Sequence, residues 1–397
     1  MSALRIASRF PAMAALAGLA FALAACSSSQ IAFPGAEAPL GAPPAPPVAG
    51  AAAVGESIGA GPVRVGLILP LTQGGAPSPL GASLRNAAQL AVEESGSSDI
   101  TLMALDDHST PDGAAQAAQA AIGAGAEMLI GPLFAADVRE AAKVARAAGR
   151  PVIAFSTDAT VAGKGVYLLS FLIERYVDRI VEFAESKGKK SFAVLAPQSD
   201  YGNIAAAEFQ QVAAAHSLRV VTIARYAPGK PGPSVAEIAG VAGQIDALFI
   251  PEQAEGMPAV AAALAASGVK AQILGTGVWN DAKTLKLPAL QGAWFSAPEN
   301  AGFNAFAQRY KAKFNADPTR LATLSYDAVS LVAALARTQG AQRFTEKTLT
   351  NASGFNGADG VFRFRVDGPN ERGLAVLEVA NGAASVVSPA PRSFAGG

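Results

Sequence analysis

The chain has 397 residues, of which 51% are hydrophobic, and its 31 Lys and Arg residues balance 31 Asp and Glu residues. A formal charge of zero leaves no electrostatic basis for binding nucleic acid. The single cysteine excludes an intrachain disulfide, so the fold depends on its own hydrophobic core.

The N-terminal residues have the features of a secretory signal peptide. Arg5 and Arg9 precede an apolar run that is too short to span a bilayer, and small residues follow it. The tetrapeptide Leu23-Ala24-Ala25-Cys26 resembles the lipobox of bacterial lipoproteins, whose cysteine is diacylated and becomes the new N-terminus. The resemblance implies a signal peptide of residues 1–25 and a lipid anchor on Cys26. The alternative is a buried cysteine in an ordinary helix, where the thiol acts as a small apolar group.

Residues 26–61 have the composition of a disordered linker. They are rich in Ala, Pro and Gly and carry too little large apolar surface to order themselves. Such a linker would let a folded part work near a membrane surface. Roughly 330 residues remain after it, a length that suggests two domains.

From residue 63 onward, short apolar strands alternate with amphipathic helices, as in βαβ units of a parallel sheet. Strands are predicted at 63–69, 100–105, 128–130 and 151–155, and helices at 81–95, 112–123 and 136–148. The pattern then restarts. Strands are predicted at 191–196, 219–225, 247–251 and 272–275, and helices at 203–216, 235–244 and 257–267. Two successive α/β runs predict two Rossmann-like lobes with a central cleft.

The last part of the chain does not begin a third lobe. It reads as a crossing loop at 297–303, helices at 305–314 and 325–338, and a hairpin that joins 360–365 to 374–379 around Pro369-Asn370.

The order and spacing of several short motifs give the chain a family resemblance over nearly all of residues 62–382. These motifs are Val65-Gly66-Leu67-Ile68-Leu69-Pro70-Leu71-Thr72, Asp106-Asp107, Ile130-Gly131-Pro132, Pro151-Val152-Ile153-Ala154-Phe155-Ser156-Thr157, Asp200-Tyr201-Gly202 and Ser325-Tyr326-Asp327-Ala328. The chain resembles the type I periplasmic binding proteins, in particular the leucine/isoleucine/valine-binding protein family. The resemblance implies two α/β lobes joined by three crossings. The expected lobes are residues 62–170 with 297–345 and residues 171–296 with 346–382, followed by a disordered tail at 383–397.

The linker, the Gly131-Pro132-Leu133 loop and Leu168-Leu169-Ser170-Phe171-Leu172 also resemble a narrower group. Its members are lipoproteins labelled penicillin-binding protein activators, in which a binding-protein fold regulates a peptidoglycan synthase. This resemblance implies a protein-binding surface, whereas an importer component needs a ligand cleft.

The candidate ligand site follows from the fold, since ligands of open α/β sheets bind outside the carboxyl ends of strands. The loops expected there contain Thr72, Phe134, Ser156, Thr157, Tyr201, Glu252 and Trp279. Ser156 and Thr157 are the leading candidates for holding a carboxylate, because hydroxyl and backbone N–H groups at such a turn bind anions. Amino-acid binders of the family use equivalent residues in this way. The alternative is a helix cap or a turn contact.

The other candidates also have structural alternatives. Tyr201 occupies a place where the family often stacks an aromatic ring on the ligand, but it could equally pack under a loop. Glu252 could pair with an α-ammonium group or be a solvated loop acid. Trp279 could line the cleft or plug it.

Two departures weaken the amino-acid interpretation. Leu133-Phe134-Ala135-Ala136 offers no side-chain hydroxyl where branched-chain amino-acid binders present serines. The Thr276-Gly277-Val278 stretch lacks the glutamate that these proteins place near the ammonium group. Either Glu252 substitutes for it or the ligand is something else, since an unpaired buried ammonium is costly.

An enzyme is the weakest hypothesis. His108 and His216 are the only histidines, and neither forms a metal-ligand cluster or a Ser-His pair at recognisable spacing. No cofactor and no metal are expected. Arg139, Lys143 and Arg146 form a basic stripe on one helix, either a solvated face or a surface for an acidic partner.

The sequence therefore predicts a periplasmic, lipid-anchored solute-binding protein that takes an amino acid or related small carboxylate to an ABC permease. The alternative is a regulator whose partner is a peptidoglycan synthase.

Overall fold

A computed structural model of the chain describes residues 55–96 and 98–394. The predicted signal peptide, Cys26 and most of the predicted linker lie outside these residues. The described residues lie in one compact unit. None of the described helices is both long and apolar enough to cross a membrane.

The first lobe is built around a twisted sheet with helices on both faces. Its elements are β1 (Glu56–Ile58), β2 (Val63–Leu69), β3 (Thr72–Gln73), β4 (Ala76–Pro77), α1 (Pro79–Glu94), β5 (Ile100–Asp106), α2 (Pro111–Gly123), β6 (Met128–Ile130), α3 (Ala135–Ala147), β7 (Val152–Ala154) and β8 (Val166–Leu168). The strand order is β1-β5-β2-β6-β7-β8, and all neighbours except β1 and β5 run parallel. The β3–β4 hairpin lies outside this sheet.

The second lobe repeats the plan. Its elements are α4 (Ile173–Ser186), β9 (Ser191–Pro197), α5 (Asp200–Ala215), β10 (Arg219–Tyr226), α6 (Gly232–Gly240), β11 (Ala247–Phe249), α7 (Met257–Ser267), β12 (Gln272–Gly275) and β13 (Trp294–Ala297). The sheet order is β10-β9-β11-β12-β13, extended by two antiparallel strands from the end of the chain.

The remaining elements return to both lobes. They are α8 (Asn300–Phe314), α9 (Ala322–Thr338), α10 (Glu346–Leu349), β14 (Phe355–Gly357), β15 (Gly360–Phe364), β16 (Asn370–Arg372), β17 (Ala375–Ala380) and β18 (Ala383–Ser388). Helix α9 and the three-stranded sheet β14–β16 pack into the first lobe, and β17 and β18 complete the second-lobe sheet. The chain thus crosses between the lobes at 169–172, 298–299 and 373–374.

Buried strands explain why the sequence folds this way. Strand β2 is buried at every residue except Arg64, and helices cover both faces of its sheet. A strand buried on both faces is a nearly continuous apolar run, as expected for a parallel sheet between two helical layers. Hydroxyl caps begin several of the covering helices, with Ser78 accepting from the Gly81 amide and Thr110 from the Gly113 amide.

The predicted terminal hairpin is wrong in its pairing. Strand β15 pairs with β14 and β16, whereas β17 pairs with β13 and β18 in the other sheet. Phe362 and Phe364 of β15 lie in the first-lobe core, where the Phe364 ring is 5.4 Å from the Tyr167 ring. Residues 346–372 therefore belong with the first lobe instead of the second, because these aromatic side chains are buried there.

The predicted tail and linker boundaries also need correction. Residues 383–388 form β18, joined to β17 by a two-residue turn in which Asn381 and Gly382 both have positive φ. An Asn-Gly pair with this backbone favours a tight hairpin. At the other end, β1 pairs antiparallel with β5 and buries Ile58, so the ordered fold begins before residue 62. Strand β8, which the sequence analysis missed, has only three residues, all buried.

Candidate functional site

Thr72, at the carboxyl end of β2, is occupied within its own lobe. Its backbone amide donates to Asp106 Oδ1 at 3.0 Å, and its hydroxyl donates to Asp106 Oδ2 at 2.6 Å. The hydroxyl also lies 2.9 Å from Nδ1 of His108. Burial opposes ionisation of Asp106, but hydrogen bonds from Thr72 and the His108 amide hold its pKa below the usual range. Thr72 therefore anchors the β3–β4 hairpin to a strand end.

Ser156 and Thr157 follow β7 and present free backbone donors. The Ser156 side chain is 3% exposed, and its hydroxyl accepts from the Asp158 amide at 3.1 Å. Among the described residues, neither the Ser156 amide nor the Thr157 amide has a hydrogen-bond partner. The hydroxyl of Ser156 thus makes the turn contact that was the structural alternative, and the backbone keeps the capacity to bind an anion.

A second set of donors lies beside this turn. Phe134 stands at the N-cap of helix α3 and offers no side-chain cap, so the first amides of the helix have no acceptor within the described part of the chain. The Phe155 amide donates to the Pro132 carbonyl at 2.9 Å, which holds the two loops together. Phe134 is 39% exposed, so an apolar ring stands next to these donors.

In the second lobe, Tyr201 is held by a residue that the sequence analysis did not select. Its hydroxyl lies 2.7 Å from the Thr276 hydroxyl, and its ring packs against the second-lobe core. Burial raises the pKa of Tyr201 to about 12. Tyr176 of α4 lies against Gly277, where a Cβ atom would come within 2.5 Å of the Tyr176 ring. The Thr276-Gly277 sequence is therefore explained by two tyrosines that pack on it.

Glu252 is a buried carboxylate with partners of its own. It is 7% exposed, accepts from the Tyr226 hydroxyl at 2.6 Å and from the Gln253 amide at 2.7 Å. It is not the solvated loop acid that was considered. Its two oxygens are each used within the lobe, which leaves it poorly placed to receive a ligand ammonium group.

Trp279 does not line the cleft. The side chain is fully buried in the second-lobe core, and its Nε1 donates to the Glu252 carbonyl at 3.0 Å. A Cβ atom on Gly275 would lie 2.4 Å from the indole, so the indole ring can pack there only because residue 275 has no side chain. The expectation that Trp279 walls or plugs the cleft is wrong, because the ring and its polar N–H are both satisfied inside the lobe.

A buried charged cluster lies where the lobes meet, and the sequence analysis did not find it. Arg320 pairs with Asp359 at 2.5 Å, and Arg372 Nη1 lies 3.8 Å from Asp327 Oδ2. The Arg372 guanidinium carbon is 5.0 Å from the Phe171 ring centroid.

This cluster touches each crossing. Phe171 belongs to the first, Arg320 donates to the carbonyls of Pro298 and Glu299 in the second at 3.4 and 3.5 Å, and Arg372 precedes the third. Burial raises the pKa of Asp327 to about 7, against the lowering effect of Arg372. We refer to Arg320, Asp327, Asp359 and Arg372 as the hinge cluster.

The structure thus places four predicted residues at the carboxyl ends of first-lobe strands and their loops, namely Thr72, Phe134, Ser156 and Thr157, and it places Tyr201 at the corresponding end of β9. Glu252 and Trp279 belong to a separate buried arrangement. Within residues 55–96 and 98–394, no three His, Cys, Asp or Glu side chains are grouped so as to hold a metal ion.

The two α/β lobes and the three crossings between them define a two-lobed fold, in which these five residues follow the carboxyl ends of strands. The chain belongs to the periplasmic binding protein family, whose model matches residues 62–384. The predicted type I periplasmic binding protein fold is confirmed.

Solved structures of the same fold come from several bacteria. One described as a putative branched-chain amino acid ABC transporter from Rhodospirillum rubrum has a TM-score of 0.73 and 19% identity, over 82% of this chain and 99% of that chain. A leucine binding protein from Thermotoga maritima has a TM-score of 0.59 and 23% identity, over 82% and 98%. A solute binding protein from R. palustris, in complex with benzoate, has a TM-score of 0.59 and 22% identity, over 83% and 97%. At these identities the likeness concerns the fold. A search of curated protein sequences gives no match.

Proposed function

We propose that this protein is an extracytoplasmic solute-binding protein that holds a small carboxylate between its lobes for uptake by an ABC transporter. The observation that carries the proposal is the pair of free donor sets at one place, the amides of Ser156 and Thr157 and the uncapped start of α3. Helix N-termini and successive free amides favour an anion there. Exposed Phe134 supplies apolar contact for the body of the ligand.

The second lobe supports a carboxylate without an α-ammonium group. Glu252 is engaged by Tyr226 and by a backbone amide, and Thr276 is engaged by Tyr201. An ammonium group closed into such a cleft would have no anionic partner among these side chains, which is costly. We therefore favour a monocarboxylate over an amino acid. The benzoate complex of the R. palustris protein and a leucine complex of a Desulfitobacterium hafniense protein illustrate the two classes on the same fold.

Closure around the ligand would change the affinity for a membrane partner, because a ligand shifts a conformational equilibrium by its difference in affinity for the two states. The membrane link would be a lipid on Cys26, after removal of residues 1–25. The family implies an extracytoplasmic location.

A second function, regulation of a peptidoglycan synthase, has one observation in its favour. Tyr201, Thr276 and Glu252, which would serve an amino-acid binder, are all engaged within the lobe. A regulator needs a partner surface and no small ligand. A pull-down of peptidoglycan synthases from membranes with the full chain would support this function.

The proposed carboxylate site is tested by removing one backbone donor. Thr157→Pro removes the amide hydrogen, whereas the matched control Thr157→Ala keeps it. We expect Thr157→Pro to weaken carboxylate binding about 10- to 100-fold, because a hydrogen bond to a charged group contributes about 1.5–3 kcal/mol. Thr157→Ala should bind like the wild type, since this side chain is exposed. Calorimetric titration with isocaproate or benzoate measures both, and equal affinities for the two variants would contradict the site.

A further inference from the structure

The first lobe has a groove at the amino ends of its β-strands, on the side away from the proposed carboxylate site. It is lined by the segments that precede β7 and β8, by the end of α3 and by the segment before α10, and it has a volume of about 580 Å³. Small-molecule sites typically occupy roughly 300–1,000 Å³. Because the strands run parallel, their amino ends lie on the side of the sheet opposite Ser156 and Thr157, which follow a carboxyl end. The groove is therefore separate from the proposed carboxylate site.

Aromatic side chains form the inner part of the groove. Tyr167 is 1% exposed and Phe344 is half-buried, and both belong to or pack against the first-lobe core. No described residue hydrogen-bonds to the Tyr167 hydroxyl. Burial, together with the nearby charge of Glu346, raises the pKa of Tyr167 to about 12, so the hydroxyl keeps its proton and can donate it. The floor therefore combines apolar surface with one unused polar group.

The rim of the groove carries unpaired positive charge. Arg146, Arg150 and Lys164 line it, and none of the three has a side-chain hydrogen bond or ion pair among the described residues. Their neighbours are paired: Arg139 lies 2.8 Å from Asp158 and Lys143 lies 2.6 Å from Glu140. Glu346 is the one acidic side chain in the lining. Three cations against one carboxylate leave the groove positive.

Helix geometry alone does not explain this charge. Arg146 lies in the last turn of α3, where a cation favours the helix dipole. Arg150 and Lys164 lie on two other segments, one before β7 and one before β8, and share only the groove with Arg146. The basic stripe noted in the sequence is thus divided: Arg139 and Lys143 are paired on the surface, and Arg146 turns to the groove.

We propose that this groove is a second ligand site, which takes a small amphipathic anion with its ring or apolar body on Tyr167 and Phe344 and its charged group on Arg146, Arg150 and Lys164. Planar guanidinium groups bind carboxylate, sulfonate or phosphate groups through charge-assisted hydrogen bonds. Occupancy would be independent of the interlobe cleft, because all the lining residues lie within the first lobe.

The test uses a fluorescent aromatic anion, anilinonaphthalene sulfonate, and its uncharged analogue N-phenylnaphthylamine, with the 50–397 protein, which is a compact unit by itself. We expect the wild type to bind the anion saturably at one site. The double variant with Arg146→Glu and Arg150→Glu should bind it about tenfold more weakly, because the charge-assisted contacts are lost. Both arginines are exposed, so the variant should fold normally. The matched control is Lys143→Glu, a charge reversal on the same helix at a paired residue, which should bind like the wild type.

Two further measurements show whether the probe binds in the groove or in the cleft, and whether its charge or its apolar surface determines the binding. Thr157→Pro should leave binding of the anionic probe unchanged, and the uncharged analogue should bind the wild type and the double variant alike. The proposal is overturned if the double variant binds the anion as the wild type does, if Lys143→Glu weakens binding equally, or if Thr157→Pro abolishes binding. The first two outcomes leave the proposed cleft function untouched, and the third places the probe in the cleft.

Discussion

Arg372→Ala is expected to lower the free energy of unfolding by about 3–5 kcal/mol, because removing one partner of a buried ion pair leaves the other charge buried and unpaired. The Arg372 side chain is 2% exposed and the Asp327 side chain is fully buried. The substitution leaves Asp327 with backbone donors alone, among them the Ala358 amide at 2.6 Å, and empties the space between the Phe171 and Phe362 rings. Urea unfolding of the 50–397 protein at pH 8 measures the change.

A matched variant separates charge from packing. Arg372→Met with Asp327→Asn keeps an apolar stem between the rings and removes both charges, so it should recover much of the lost stability. Acid should also soften the Arg372→Ala defect, because burial already raises the pKa of Asp327 to about 7 beside Arg372 and raises it further without that charge, so the carboxyl can take a proton instead of remaining a buried charge. An Arg372→Ala variant as stable as the wild type at pH 8 would show that the hinge cluster does not hold the crossings together.

The second large effect is a pH-dependent gain of stability in Asp107→Asn. Asp107 has no solvent exposure, its Oδ2 has no hydrogen-bond partner among the described residues, and burial together with the charge of Asp137 raises its pKa to about 7. In the unfolded chain the same carboxyl titrates near 4. The folded state therefore holds the proton more tightly, and this contribution to stability is complete below about pH 4 and lost as the pH rises through about 7.

Wild-type stability should accordingly fall between about pH 4 and pH 7, by up to about 4 kcal/mol from this group alone. Asp137, whose pKa burial raises to about 6, adds in the same direction. Asp107→Asn removes its part of this loss, so the variant should exceed the wild type in stability at pH 8 and have a flatter profile. The adjacent Asp106→Asn is the control of opposite sign. The pKa of Asp106 is lowered in the folded state, so its carboxylate stabilises the fold above the unfolded pKa, and this stabilisation is lost on acidification. Parallel pH profiles for Asp107→Asn and the wild type would contradict this account.

Local pattern was sufficient for most of the fold. The strands of the parallel sheets are apolar runs between helices with hydroxyl or proline starts, and the predicted positions of β2, β5, β6, β9 and β11 agree closely with the structure. Pairing between distant segments was harder to predict. Strand β15 is an alternating segment whose partner depends on where its two phenylalanines find a core, and that core lies in the first lobe. The Asn381-Gly382 turn was a readable local signal that was missed.

The site followed less directly from the sequence. Residue type alone suggested that Glu252 and Trp279 contact a ligand. In the structure the Tyr226 hydroxyl donates to the Glu252 carboxylate and the Trp279 indole donates to the Glu252 carbonyl, so both residues are engaged within the second lobe. The free amides of Ser156 and Thr157 are backbone groups, and sequence gives their neighbourhood but not their lack of partners. The hinge cluster joins residues from α9 and the segment just before it, from β16 and from the turn before β15, a contact that only the folded topology creates.

The most direct test of the account compares three molecules that share the isobutyl group of leucine: isocaproate, leucine and isoamylamine, titrated calorimetrically into the 50–397 protein. Isocaproate carries only the carboxylate, leucine adds the ammonium group, and isoamylamine carries only the amine. A cleft that holds a carboxylate on free amides and offers no partner for an ammonium group should bind isocaproate at least as tightly as leucine and should not bind isoamylamine. Leucine binding about tenfold tighter than isocaproate, a difference of about 1.4 kcal/mol, would contradict the account, as would no binding of either carboxylate to the folded protein.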